Sequence, residues 1–345
     1  MRVAVVGAGI VGLATADALS RRGAEVVCLD QDEPMAARSA GNSRIFRLAH
    51  ADPGLVAYAA RSADLWSWWS ERAGTPLVGT QGLVVTGPNA PDWATAMAGF
   101  PHTVEPAADA LGLPVRSALP GPALVDPGAG VIDVPATRTF LRAAVGSALR
   151  TAHAYRLTAT DDRVRLDTSA GPVEADRVVV AAGRGTWQLA AQVGVYVPTE
   201  LAHHVRFTFR LRDPAAAPPC WIDGTESWRP GFTTYQQCSG PGHWSVGASL
   251  APAEQAWERG RAAVVARSRD LVRRYVREAL AGVEDDIVDE LYCDLPAGLG
   301  DGVHVTTGGP ATFLWGDNLF KHAPAVGESL AASTLDGTVP DIPPA

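Results

Sequence analysis

Cysteine is scarce in this 345-residue chain, where Cys28, Cys220, Cys238 and Cys293 lie far apart and form no CxxC pair. That excludes a disulfide framework and argues against a structural zinc site. A basic excess is missing too. Lys and Arg total 29 against 37 Asp and Glu, a net charge of −8, and a mildly acidic chain gives no reason to expect nucleic acid as a partner. No stretch is apolar for long enough to span a membrane, and no repeat or low-complexity block interrupts the chain. Hydrophobic residues make up 47% and charged residues 19%, which excludes a disordered, collagen-like or coiled-coil chain. At about 100–200 residues per domain, the length suggests about two domains and a sizeable core.

The apolar run Val3 to Leu13 follows Arg2 and precedes Ala14-Thr15-Ala16, the general shape of a secretory leader. Cleavage there would destroy a Gly-punctuated nucleotide pattern, so the run is read as part of the fold and the protein as cytoplasmic. Residues 2–6 are continuous and β-branched, the pattern of a buried parallel strand. Gly7-Ala8-Gly9-Ile10-Val11-Gly12 follows, then a helix over 11–22 closed by Arg21, Arg22 and Gly23, then a strand over 25–29 ending at Asp30. The glycines have distinct tasks: Gly7 turns the chain off the strand, Gly9 admits a pyrophosphate against the backbone, and Gly12 lets helix and strand meet. The helix N-terminus, at Ile10 and Val11, offers amide donors and a positive dipole end. Asp30, closing the second strand, stands where an acid accepts from ribose hydroxyls. Together these predict dinucleotide binding without choosing FAD over NAD. The polar loop Arg38 to Arg47, with Arg44 and Arg47 three apart, favours a flavin, because a flavin needs a loop over its ring system.

Further along, an amphipathic helix is expected over 55–72, a strand between Gly79 and Gly87, helical fragments and loops over 88–125, and a helix over 136–149 with Pro135 at its start. A meander over 153–159, 163–168 and 172–182 ends in the buried run Val178-Val179-Val180-Ala181-Ala182-Gly183. Strands are expected at 203–211, 243–250 and 302–307, one long helix over 253–281 with Trp257 on its apolar side, a loop to Phe320-Lys321, and a helix over 324–335. The arginines of the long helix read as a solvated face paired with nearby acids. His203 and His204 are adjacent in a strand and point to opposite faces, a poor metal pair. Trp221, Trp228, Trp244 and Trp315 suit either core packing or an aromatic-lined pocket.

Taken together, these motifs resemble the D-amino-acid-oxidase superfamily of flavin-dependent amine and amino-acid oxidases, in particular the monomeric sarcosine oxidase and N-methyltryptophan oxidase type. The resemblance rests on Gly7 to Ala14, on Gly41-Asn42-Ser43-Arg44-Ile45-Phe46-Arg47, on Asp126-Pro127-Gly128-Ala129-Gly130 with Pro135 beyond it, on Val178 to Gly183, and on Phe320-Lys321-His322-Ala323-Pro324-Ala325-Val326-Gly327-Glu328. It implies an α/β plus α+β chain. A discontinuous Rossmann-type FAD domain would span 1–75, 126–190 and 288–345. A substrate domain on a mixed or antiparallel sheet would span 76–125 and 191–287. It implies FAD as cofactor, oxidation of a C–N bond by transfer of a hydride equivalent to flavin N5, an imine product, and a monomer acting on a small amine or amino acid.

The resemblance also implies residue roles. Arg44 matches the arginine beside the flavin ring. Arg47 and Lys321 match the pair that holds a substrate carboxylate, a guanidinium and an ammonium converging on one point. Cofactor contacts extend to Gly7, Gly9, Ile10, Val11, Gly12, Asp30, Gln31, Ser39, Gly41, Asn42, Ser43, Gly183, Gly316 and Asn318. Cys293 stands where the family links its flavin covalently, although Asp294-Leu295-Pro296-Ala297-Gly298 departs from the family pattern after it; a buried free thiol is the alternative. His243 to Ser249 matches the substrate strand and brings Trp244 and Ser245 to the substrate. Ser245 replaces the lysine that assists oxygen activation, so an acceptor other than oxygen is the close alternative to an oxidase. A reductase using NAD(P) and a non-catalytic flavoprotein are weaker ones. Asp317 either pairs with a substrate amine or caps the turn after it.

Overall fold

The computed structural model describes residues 1–299 and 301–343. A six-stranded sheet runs in the order Gly302–Gly308, Ala311–Asp317, Arg177–Val180, Arg2–Val6, Glu25–Asp30, Leu149–Thr151. Its pairings are parallel except for the antiparallel hairpin 302–308/311–317. The central strands are apolar on both faces because both are covered. On one side the helices Ile10–Arg21 and Ala323–Asp336 pack together, with Leu13, Ala14 and Leu19 against Val326 and Leu330. On the other lies the three-stranded sheet of 154–159, 164–168 and 173–175. This is the doubly covered, twisted arrangement that the first βαβ unit predicts.

An eight-stranded sheet forms the second layer system, in the order Val283–Pro296, Leu201–Leu211, His243–Ser249, Thr233–Cys238, Cys220–Asp223, Leu83–Thr86, Pro122–Asp126, Thr103–Pro106. One face is apolar. Val205, Phe207, Phe209, Trp244 and Val246 bury against Val264, Leu271, Val272, Tyr275 and Val276 of the helix Arg261–Ala279. Alternation then sends His204, Arg206, Thr208 and Ser245 to the opposite face, toward the loop that follows the second parallel strand. The short antiparallel pair Ser43–Phe46 and Gly130–Asp133 connects the two systems.

Several expectations change. The single helix over 253–281 is three pieces: Pro252–Gln255, a 3₁₀ turn at Trp257–Arg259, and Arg261–Ala279. Ala256 is extended and Gly260 takes φ +78°, so the helical hydrogen bonds cannot run through. Trp257 stacks on His203 (4.5 Å between ring centroids) rather than lining the helix's apolar side. The strand expected over 172–182 is two strands in two sheets. At Asp176 the chain crosses between them, its N–H bonding Arg2 O and its carboxylate accepting from Arg2 N–H. The loop expected before Phe320 holds the strand Ala311–Asp317, and the stretch 88–125 holds two strands beside its helices. The expected division before residue 288 falls inside Val283–Pro296, a strand that pairs along its length with Leu201–Leu211. Among the described residues no helix is long and apolar enough to cross a membrane.

Candidate active site

The first parallel strand ends at Gly7, whose φ of +104° turns the chain into the helix Ile10–Arg21. A Cβ there would run into the backbone of Ala181, and a Cβ on Gly12 would run into the carbonyl oxygen of Gly7. These two positions hold strand, helix and crossover at contact distance and admit only glycine. Ile10, Val11 and Gly12 are buried, the helix's first turn carries no acid, and its N-cap residue Gly9 offers no side chain. Its positive end is therefore left for an anion, which is what a pyrophosphate requires. Ser39 reaches back to this turn, its hydroxyl accepting from Ile10 N–H (3.0 Å). Asp30 closes the other side, its carboxylate accepting from Ala8 N–H at 2.6 Å and Asp32 N–H at 3.1 Å. Gln31 is exposed beside it, and Gly183 takes φ +54° at the end of the neighbouring parallel strand. The glycine cradle, the free helix end and the acid fit a dinucleotide.

Beyond the cradle the loop Arg38–Ser43 meets the polar face of the large sheet. Arg44 is anchored on carbonyl groups alone: it donates to Ser43 O (2.8 Å), Arg38 O (2.9 Å) and Ala40 O (2.6 Å). Its guanidinium lies over the Phe320 ring at 5.4 Å. Burial, with Arg206 beside it, pulls its pKa down to about 9. Arg206, itself buried, donates to Ser43 O at 3.0 Å from the sheet side. Gln237 adds Nε2 at 3.3 Å from Ser43 Oγ, and its own buried Oε1 has no partner among the described residues. His204 is held neutral, its pKa drawn down to about 4 by burial and by Arg206, Arg38 and Arg44. Tyr235 stacks on it (5.5 Å), and burial raises the Tyr235 hydroxyl above its usual range. Cys293 lies on this face with Sγ 3.7 Å from His204 Nδ1. Burial pushes its thiol up against the opposing pull of Arg38, Arg44 and Arg206. Leu291, on the same side of its strand, abuts Gly41. The face is cationic, enclosed and partly unsatisfied, a wall suited to an electron-rich planar ring.

Arg47 and Lys321 do converge. Arg47 stacks over Trp93 (4.7 Å) and donates to Ala49 O and to the Asp301 carboxylate. Lys321 Nζ donates to Asn318 O (3.1 Å) and sits 3.7 Å from the other Asp301 oxygen. The Lys321 carbonyl is fixed in turn by Ser62 Oγ–H and Trp66 Nε1–H, both 2.8 Å away. Lys321 is the only lysine in the sequence. Burial pulls its ammonium down to about 8 even with Asp301 opposing, while His50 and His322 are held neutral by burial and by Arg47 and Lys321.

The remaining expected residues fall in different places. Ser245 is fully buried on the polar face and shares a hydrogen bond with Thr208 (2.8 Å). Trp244 does not join it: as the next residue in the strand it points into the core, donating to Gln236 Oε1 at 2.8 Å. Trp221 is likewise core, Trp228 packs at the surface against Phe232 and Arg274, and Trp315 stacks on His304. Asp317 pairs with Arg38 (2.7 Å) and accepts from Asn318 N–H at the start of the turn that follows. Gly316 receives Arg38 at its carbonyl, and Asn318 adopts φ +53°. Asn42 is exposed, its carbonyl accepting from Val134 N–H. Sequence reasoning missed Arg206, Gln237, His50 and Asp301. Arg206 carried a signal, a charge flanked by the apolar Val205 and Phe207 within a strand; the others carried none without the fold.

Comparison with known proteins agrees with this geometry. The family model described as DAO, FAD dependent oxidoreductase, matches residues 2–333. No curated protein matches the chain. Among solved structures, NikD, an unusual amino acid oxidase essential for nikkomycin biosynthesis, superposes with a TM-score of 0.83 at 20% identity, over 99% of this chain and 97% of that one. L-proline dehydrogenase from P. horikoshii gives 0.78 at 17% identity, over 98% and 94%. Glycine oxidase from Geobacillus kaustophilus gives 0.76 at 19% identity, over 99% and 96%. At such identities the likeness is one of fold.

Proposed function

Because the chain belongs to the DAO family of FAD-dependent oxidoreductases, we propose that it oxidises the C–N bond of a small amine or amino acid bearing a carboxylate. The observation that carries this reading is the convergence of Arg47 and the sole lysine, Lys321, on one carboxylate next to the cationic face. The solved structures named above belong to an amino acid oxidase, a proline dehydrogenase and a glycine oxidase, and the fold they share supports the same chemistry. Bound FAD supplies the two-electron acceptor. The helix N-terminus at Ile10 and Val11 receives its phosphates, Asp30 its ribose, and the Arg38–Ser43 loop its ring. Arg44 and Arg206 would lie beside the ring system and supply fixed positive charge to stabilise its reduced form. Arg47 and Lys321 orient the substrate by its carboxylate, and Trp93, stacked on the Arg47 guanidinium, holds that group in place. Cys293, whose thiol feels the pull of Arg38 and Arg44 of the ring loop, is read as the point of covalent attachment, with a buried free thiol as the alternative. We take the chain to act as a monomer, as its family resemblance implies, and in the cytoplasm, as the reading of its N-terminal run as part of the fold implies.

The polar face favours a second reading of the acceptor. Ser245 is locked to Thr208, and with Lys321 the only lysine, no ammonium stands on this sheet. Arg44 and Arg206 are the remaining cations to favour reduced oxygen, so a dehydrogenase using another acceptor is the alternative to an oxidase. Mixing amines and amino acids with the purified protein in air tests both readings. Hydrogen peroxide in step with substrate loss supports the oxidase. Flavin reduction without peroxide supports the dehydrogenase. No flavin reduction by any amine or amino acid removes the reading.

A further inference from the structure

The carboxylate on which Arg47 and Lys321 converge belongs to the protein. Asp301 directly precedes the strand Gly302–Gly308, and its two oxygens divide between the two cations, Oδ2 on Arg47 and Oδ1 3.7 Å from Lys321 Nζ. Asn318 Nδ2 donates to Oδ1, and His50 Nε2, buried and without a hydrogen-bond partner among the described residues, faces Oδ2 at 3.9 Å. A guanidinium, an ammonium and an amide around one carboxylate is the full donor set that an amino acid's carboxylate needs. Arg47, His50 and Lys321 are all buried, whereas the Asp301 side chain is 24% exposed. The cations are thus a buried, preformed seat, and the anion, with the exposed Asn318 beside it, reaches in from the solvent side.

We propose that Asp301 is a tethered competitor for the substrate carboxylate, filling the Arg47–Lys321 seat until a substrate displaces it. The inference deepens the carboxylate recognition proposed above and rests on it. A tethered group competes at an effective concentration on the order of millimolar or more. Simple monocarboxylates therefore fail to enter the wild-type seat at low concentration, and only a substrate whose remainder also binds can enter. Asp301 in this way sets specificity: it rejects small anions and makes the carboxylate necessary but insufficient. The proton balance is consistent with this. Burial pushes the Asp301 carboxyl up, yet Lys321, Arg47 and the Asn318 amide together hold it far below its ordinary range, so the seat always contains a carboxylate, its own or a ligand's.

The test uses the flavin-loaded wild type, Asp301→Ala and Asp301→Asn, with acetate as probe and chloride at equal ionic strength as control. Thermal midpoint and flavin absorbance report binding without turnover. The single lysine adds a local readout: an amine-selective reagent followed by peptide mapping measures Lys321 apart from the α-amino group of Met1. Acetate should raise the midpoint of Asp301→Ala and protect its Lys321, with at least a tenfold tighter midpoint concentration than any wild-type response. In Asp301→Asn, KM for carboxylate-bearing substrates should fall with kcat changed less. Should the alanine variant not fold, the asparagine variant, which keeps the side chain's shape, is read for acetate in the same way. Equal acetate responses in wild type and variants would overturn the proposal. So would variants that lose amine binding and gain no affinity for acetate, since Asp301 would then hold the substrate's ammonium. Failure of these anion readouts while amines still reduce the flavin rejects the tethered competitor alone; acetate binding without flavin reduction by any amine rejects the C–N oxidation.

Discussion

The nucleotide cradle and the polar face of the large sheet, the two regions proposed to hold the flavin, are built by opposite means. The cradle is built almost wholly from backbone: glycines that let chain meet chain, a helix end, and one acid at the close of the next strand. Its parts lie between Arg2 and Ser39, together with the crossover at Ala181. The polar face is built from side chains carried on antiparallel strands, with Arg206 and Gln237 meeting Ser43 from sequence separations of 163 and 194 residues. A backbone site tolerates no added atom. A side-chain site tolerates change in shape but answers to charge and protonation.

Substitution in the cradle should therefore have the largest effect. Gly12→Val drives a branched side chain into the Gly7 carbonyl and should cost about 3 kcal/mol or more; thermal unfolding and the flavin content of the purified protein would measure it. On the other side of the comparison, Lys321→Met removes charge and keeps bulk. It should leave flavin bound and lower kcat/KM for a carboxylate substrate by about 2–5 kcal/mol of binding energy, mostly in KM. Flavin loss in that variant would blur the division between the two regions. The pH dependence follows with a definite sign. Burial brings Lys321 down to about 8, so the ammonium is present below that pH and lost above it. Carboxylate affinity should weaken as pH rises through about 8, approaching tenfold per unit, and a KM–pH profile would show the bend. Protein stability should move the other way. An ammonium whose folded pKa is depressed costs stability below that value, and the cost is relieved between about 8 and the unfolded value near 10.5.

Two smaller effects sharpen the comparison. Cys293→Ser should change stability by about 1 kcal/mol or less while sending all flavin into the supernatant on acid precipitation; a yellow pellet from the wild type alone would identify the attachment point. Trp244→Phe, on the core face, should cost about 1 kcal/mol through the lost bond to Gln236 and leave KM unchanged. A changed KM would mean that the two faces of the sheet are less independent than the alternation implies.

The same contrast explains what the sequence disclosed. Gly7, Gly12 and Asp30 were legible because their roles follow from local spacing between a strand and a helix. Arg44, Arg47 and Lys321 were legible through motif resemblance, and the structure brings Arg47 and Lys321 to one point. Trp244 and Ser245 were named together although strand alternation separates neighbours onto opposite faces, which the period of two alone would have shown. The helix expected over 253–281 ran through Gly260 because its apolar spacing persists on both sides of the break. Asp301 was invisible for a different reason. A single acid in a Gly-rich loop has no pattern, and its meaning comes only from two cations held by other segments, Arg47 beyond the cradle and Lys321 past the hairpin that Asp301 precedes.

The central claim is that electrons pass from the C–N bond of an amine or amino acid to the bound flavin. Anaerobic titration of the purified protein, followed at the flavin's visible absorbance, tests it most directly. Bleaching by a carboxylate-bearing amine or amino acid, saturable and weakened in Lys321→Met, is the result predicted. Bleaching by NADH or NADPH with none by any amine or amino acid would contradict it.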